Sequence, residues 1–159
     1  MKILIAADGS EFSKAAVEFC RNIIADPANT SFKVISAFEL PLILPSDPTL
    51  EGSPDFYDQL EEAGHAGAAA YAEDAADQLR LLFPQSRLDL TSEVIQDAPP
   101  RAIIEAAESW NADLIVIGSH AYGFWRRMML GSVSDAVLNH APCSVLVVRG
   151  KDSLSKELT

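Results

Sequence analysis

The chain has 159 residues, 48% hydrophobic and 22% charged, which are the proportions of one ordinary soluble domain. A net charge of -11, from 23 acidic and 12 basic residues, excludes the sequence-independent binding of nucleic acid or anionic membrane that a basic surface gives. Cys20 and Cys143 are too far apart for a Cys-x-x-Cys motif, so redox and zinc chemistry have no support and buried structural thiols are expected.

Ile3 to Ala7 is apolar throughout and stops at Asp8-Gly9-Ser10. A continuous apolar run of that length predicts a strand covered on both faces. It lacks the length and cleavage pattern of a secretory signal, and no apolar run approaches the ~18 residues of a membrane span. A cytoplasmic protein is the expectation. Phe12, Ala15, Ala16, Phe19 and Ile23 then recur at helical spacing, with Ser10 as N-cap and Asp26-Pro27 as the stop.

Phe32 to Phe38 predicts a second strand. Leu40 to Pro54 carries four prolines and reads as a loop, because proline removes backbone donors. Asp55 to Phe83 is alanine-rich and proline-free. It predicts a long helix with Leu60, Ala63, Gly67, Ala70, Tyr71, Leu79 and Leu82 on one face. Leu88 to Ile95 predicts a third strand, and Pro99-Pro100 opens a helix carrying Ile103, Ala106, Ala107 and Trp110. Asp113 to Ile117 is the fourth strand, Val133 to His140 the last helix and Ser144 to Val148 the fifth strand.

Alternating strands and helices give βαβ units. The expected fold is α/β: one domain over residues 1–150, a five-stranded parallel sheet of order 3-2-1-4-5 with helices on both faces, and a polar tail over 151–159. In that order the turns after the first and fourth strands flank one crevice, the switch point where such sheets bind ligands. Gly131-Ser132 lies thirteen residues beyond Gly118 and opens the last helix. Helix N-termini present amides and a favourable dipole to anions.

Four segments resemble the universal stress protein family over almost the whole chain. They are Ile3 to Ser10; Asp97-Ala98-Pro99 with Ile103 to Ala107; Ala112 to His120; and Leu130 to Ser134 continuing through Pro142 to Val148. Members that hold ATP carry Gly, two residues, Gly, nine residues, then Gly with Ser or Thr. Here Gly118 and Gly131-Ser132 fill the ends with the spacing kept, while the middle place is Ala121, with Gly123 two residues on. Alanine is disfavoured there if the position requires positive φ, and serves if only a small side chain is required.

The resemblance implies an adenine-nucleotide site formed by Ala7, Asp8, Ala37, Ile117, Gly118, His120, Ala121, Gly131, Ser132 and Val133. Asp8 would lie near the adenine or ribose, and the Ala37 backbone would meet the adenine. Gly118 would approach the ribose and phosphates, and the amides of Gly131, Ser132 and Val133 would hold the phosphates. The implied cofactor is ATP, with or without magnesium.

Arg126 and Arg127 are either solvated surface or the local positive charge for such an anion. Phe124, Trp125, Met128 and Met129 are either core or a partner surface. His65, His120 and His140 are not at metal-ligand spacing. Ser10, Ser119 and Ser132 have no evident base and orienting acid, so a hydrolase triad has no support.

Three functions compete: a stress-response module that binds ATP and acts as a regulatory homodimer, a dimeric interaction module without nucleotide, and a slow ATPase. The first is preferred. Val145 to Val148 is the expected edge strand for pairing two copies.

Overall fold

The computed structural model describes residues 1–40, 54–119 and 131–149. In chain order they form β1 (Lys2–Ala6), α1 (Glu11–Ile23), a 3₁₀ turn (Pro27–Asn29), β2 (Ser31–Phe38), α2 (Pro54–Leu82), β3 (Asp89–Gln96), α3 (Pro99–Trp110), β4 (Leu114–Ser119), α4 (Ser132–His140) and β5 (Ser144–Arg149). All four strand pairings are parallel and the order is β3-β2-β1-β4-β5. The sheet has the predicted order, and element ends differ from the sequence reading by a few residues at most. The proline-rich segment falls mainly at 41–53, outside the described residues, as does the tail 151–159.

Two apolar layers hold the sheet. On one face Ala16, Val17 and Cys20 of α1 and Ala72, Ala75 and Leu79 of α2 pack on Ile3, Ile5, Phe32, Val34, Val116 and Val148. On the other, Ile103, Ala106 and Ala107 of α3 and Val137 of α4 pack on Leu4, Ile35, Ile115 and Ile117. Alternation along β1 and β4 therefore feeds both layers, which is why their sequences read as unbroken apolar runs.

The faces of two helices differ from the expected ones. In α1 the buried line is Ser13, Ala16, Val17 and Cys20, whereas Phe19 and Ile23 are each 36% exposed. In α2 the buried line is Ala68, Ala72, Ala75, Ala76 and Leu79, and Ala63, Ala70 and Tyr71 face outward. Side-chain size misled the pattern in both. Closely packed sheet faces select small residues for the inner line, and the bulky residues stand beside it.

Two of the segments that carry the family likeness have structural jobs. Asp113 accepts a hydrogen bond from the Lys2 amide (2.6 Å), and the Asp113 amide donates to Lys2 O (2.8 Å). These bonds pin the start of β1 to the start of β4. Asp97 accepts from the Ala98 amide (2.6 Å) and pairs with Arg101, fixing the entry to α3. The Arg101 guanidinium holds the Asp97 carboxyl below its ordinary range.

Burial pushes the Cys20 thiol from 9.0 up to about 12, and its Sγ donates to Ala16 O at 3.5 Å. The native thiol keeps its proton to higher pH than the unfolded one. Its contribution to stability is therefore whole below pH 9 and is lost as pH rises toward about 12. The urea midpoint of the wild type should fall more steeply over that range than that of Cys20→Ala, and native Cys20 should resist a thiol reagent until the chain unfolds.

Candidate functional site at the carboxyl ends of β1 and β4

In the order β3-β2-β1-β4-β5 the chain leaves β1 toward one side of the sheet and enters β4 on the other, so the switch point lies between β1 and β4. Gly118 and Ser119 end β4 and face opposite sides. A Cβ on Gly118 would stand 2.4 Å from Phe12 C and O and 2.7 Å from Ser13 N. The first turn of α1 thus rests directly on the strand backbone. On the other face the buried Ser119 Oγ accepts from the Gly131 amide at 3.4 Å and shares a hydrogen bond with Ser134 Oγ, also at 3.4 Å, while the one Ser134 hydroxyl proton goes to Gly131 O at 2.9 Å. Two helix N-termini are therefore tied to adjacent residues of one strand.

The two helix starts differ in their capping. Ser10 is the N-cap of α1, as expected, and its Oγ accepts from the Ser13 amide at 3.2 Å. The N-cap of α4 is Gly131, which has no side chain with which to cap the first turn. Ser132 is therefore the first helical residue, not the cap. An uncapped first turn leaves its opening amides without intrahelical acceptors. This is the end of the two that retains donors for an anion.

The sequence-predicted residues fall into three groups. Asp8 is exposed just past β1, and its Oδ1 accepts from the Ser10 amide (3.0 Å) and Ser10 Oγ (2.5 Å). Gly131 and Ser132 open α4, with Ser132 exposed and Gly131 half-buried. Ala7, Ile117 and Val133 turn their side chains into the two cores, so their backbone atoms are what they can offer a ligand. The Ala7 amide already donates to Ile35 O at 2.8 Å. Ala37 pairs with Ile95 near the end of β2. His120 and Ala121 lie outside the described residues, as do Arg126, Arg127 and the apolar residues Phe124, Trp125, Met128 and Met129.

Two of the glycine arguments change. Gly118 is required by the close approach of α1, independently of any ligand. Gly131 has φ -62 and ψ 153, an ordinary extended conformation, so its backbone does not demand glycine, and its amide is engaged by Ser119. Ser132 and Val133 follow Gly131 as the opening residues of α4. The sequence reading missed Ser119 and Ser134 as the tie between β4 and α4. A polar residue on the inner face of α4 was the available signal for Ser134. Gly9, placed by the sequence in the turn after β1, has φ +74, in keeping with that turn.

A five-stranded parallel sheet with helices on both faces, and a helix start beside its switch point, places the chain among the doubly wound α/β folds. The profile of the universal stress protein family matches residues 1–149, and the chain belongs to that family. A universal stress protein of Thermus aquaticus is 33% identical over 147 residues, 92% of this chain and 97% of its own length. One from Methanocaldococcus jannaschii is 29% identical over 150 residues, covering 93% and 81%.

Among solved structures, the hypothetical protein MJ0577 superposes with TM-score 0.73 at 22% identity, covering 96% of this chain and 97% of that one. A universal stress protein in complex with cAMP gives 0.66 at 22%, covering 94% and 97%. A family member from Arabidopsis thaliana with AMP bound gives 0.64 at 19%, covering 96% and 93%. No described helix is long and apolar enough to cross a membrane.

Replacing Gly118 by Ala should force α1 off the strand, because the atoms it meets are backbone. Overpacking of this kind costs about 1–3 kcal/mol. Urea unfolding should show the loss, and a variant as stable as the parent would disprove the close packing as the reason for glycine.

Proposed function

We propose that the chain binds an adenine nucleotide, ATP with or without magnesium, and acts as a regulatory homodimer in a stress response. The observation that carries the nucleotide reading is the uncapped start of α4, tied by Ser119 and Ser134 to the end of β4 beside the β1–α1 turn. The Ser132 and Val133 amides are the phosphate donors in this reading, and Asp8 stands on the side of the adenine or ribose. The relatives with AMP and cAMP support an adenine ligand. Among the described residues no cluster of three carboxylate, His or Cys ligands could hold a metal. Magnesium would therefore arrive on the phosphates and keep several waters.

Ser132→Pro isolates one donor. Proline is favoured at the first helical position, and the extended Gly131 backbone suits the residue before it. The helix should survive while one amide is lost. A hydrogen bond to a charged group is worth about 1.5–3 kcal/mol, so ATP affinity by calorimetry should fall roughly tenfold to a hundredfold with unchanged circular dichroism. No saturable binding of ATP by the parent at millimolar concentration would remove the reading. Mass spectrometry of gently purified protein should show the nucleotide directly.

A specific observation favours the dimer. Among the described residues β5 pairs only with β4, leaving an open edge along Val145 to Val148. Phe19 and Ile23 lie on the flank of α1 away from α2, since Lys14 lines the α1–α2 groove and Arg21 reaches Leu82 O on the other flank. That flank continues the edge as an apolar border. Two-fold pairing of such an edge hides unpaired backbone groups. Light scattering should give twice the 17.2 kDa chain mass, with Phe19→Lys shifting the population toward monomer. A monomeric parent at micromolar concentration would count against the dimer.

A further inference from the structure

The β1–α1 turn carries Asp8 and Ser10 through Gly9, whose φ is +74. Glycine adopts that conformation readily, and it adopts many others as readily. A glycine-hinged turn holds one geometry only when contacts around the glycine restrict the choice. On one side the restriction is the pair of bonds from Ser10 to Asp8 Oδ1. On the other it is Tyr71 of α2. A Cβ built on Gly9 would lie 2.4 Å from both Cδ1 and Cε1 of the Tyr71 ring. The ring rests against the glycine itself.

The rest of Tyr71 is loosely held. It is 43% exposed and borders a shallow groove between α1 and α2 that Lys14, Asp74 and Gln78 also line. The core on this face is formed without it, by Ala72, Ala75 and Leu79. A bulky aromatic residue on the outward side of an alanine-lined helix thus has its close packing at the turn.

We propose that Tyr71 is a positioning residue for the nucleotide crevice: its ring clamps Gly9 and so fixes Asp8 at the mouth of the site. The inference rests on the nucleotide reading above. Without the ring the turn spends part of its time in other conformations, and apparent affinity falls by the fraction that remains competent. Because the clamp acts through Asp8, which faces the nucleoside part, the loss should be the same for AMP and ATP. Removal of an α4 amide should instead weigh more heavily on ATP.

The test compares the full chain with Tyr71→Ala and Tyr71→Phe. Amide exchange at Gly9 and Ser10 is followed by NMR, and AMP and ATP binding by calorimetry. Tyr71→Ala should exchange faster at both amides and bind AMP and ATP more weakly by a common factor of about ten. Tyr71→Phe should restore both, since the ring and not the hydroxyl meets Gly9. Unchanged exchange in Tyr71→Ala overturns the clamp, as does faster exchange with parental affinity. If the parent itself binds neither nucleotide, the site reading fails on its own, and the exchange rates alone decide for or against the clamp.

Discussion

The structure depends on the absence of a side chain at Gly118. With no Cβ there, the first turn of α1 sits on the backbone of β4, against Phe12 and Ser13. The next residue, Ser119, faces the other way and holds the start of α4 through Gly131 and Ser134. One strand end therefore sets the position of two helix starts. A shift of α1 away from β4 would move Ser10 and Asp8 with it, because Ser10 is both the N-cap of α1 and the partner of Asp8. Packing of the strand and geometry of the candidate crevice are the same constraint seen from two sides.

That arrangement distributes polar capacity unevenly. At α1, the Ser10 side chain uses up the donor that a ligand would want. At α4, the serine at the equivalent point is shifted one place into the helix, and the cap position falls to a glycine with nothing to offer. The buried hydroxyl of Ser134 bonds back to Gly131 O and across to Ser119, so it anchors the turn without covering the Ser132 and Val133 amides. The hydroxyls that fix this helix lie beneath it. The exposed end keeps its dipole and its donors.

Much of the fold was legible because its signals are local. Ile3 to Ala7 and Leu114 to Ile117 are unbroken apolar runs, as strands of a sheet covered on both faces are, and proline and glycine punctuate the helices where the chain turns. The helix faces were less legible. Phe19 and Tyr71 dominate any hydrophobic pattern, yet the sheet accepts Ala16, Cys20, Ala72 and Ala75 at its surface because close approach is worth more there than side-chain bulk. The local setting of two candidate-site residues was legible, since Asp8 sits in a turn and Ser132 at a helix start. It was not legible at Ser119, Ser134 or the contact of Tyr71 with Gly9, since each is a partnership between residues of different elements. Periodicity reports which way a residue faces; it does not report what waits on that side.

The acidity of the chain also acquires a physical meaning. A protein carrying -11 attracts no polyanion by its overall field. Its described ion pairs join opposite charges at the surface, such as Lys14 with Glu11 and Lys33 with Glu93, so these lysines are already matched by carboxylates. A phosphorylated ligand seated at the start of α4 would meet fixed dipoles at short range, and Asp135 already places a carboxylate in the first turn of that helix. Recognition of that kind rewards geometry over charge. Dipoles act only across a hydrogen-bond length, so a turn displaced by an ångström loses them, whereas a lysine-lined site would follow its ligand. An acidic chain that uses backbone amides therefore needs rigid helix starts more than a basic one would, and the close seating of α1 and α4 on the last two residues of β4 supplies that rigidity.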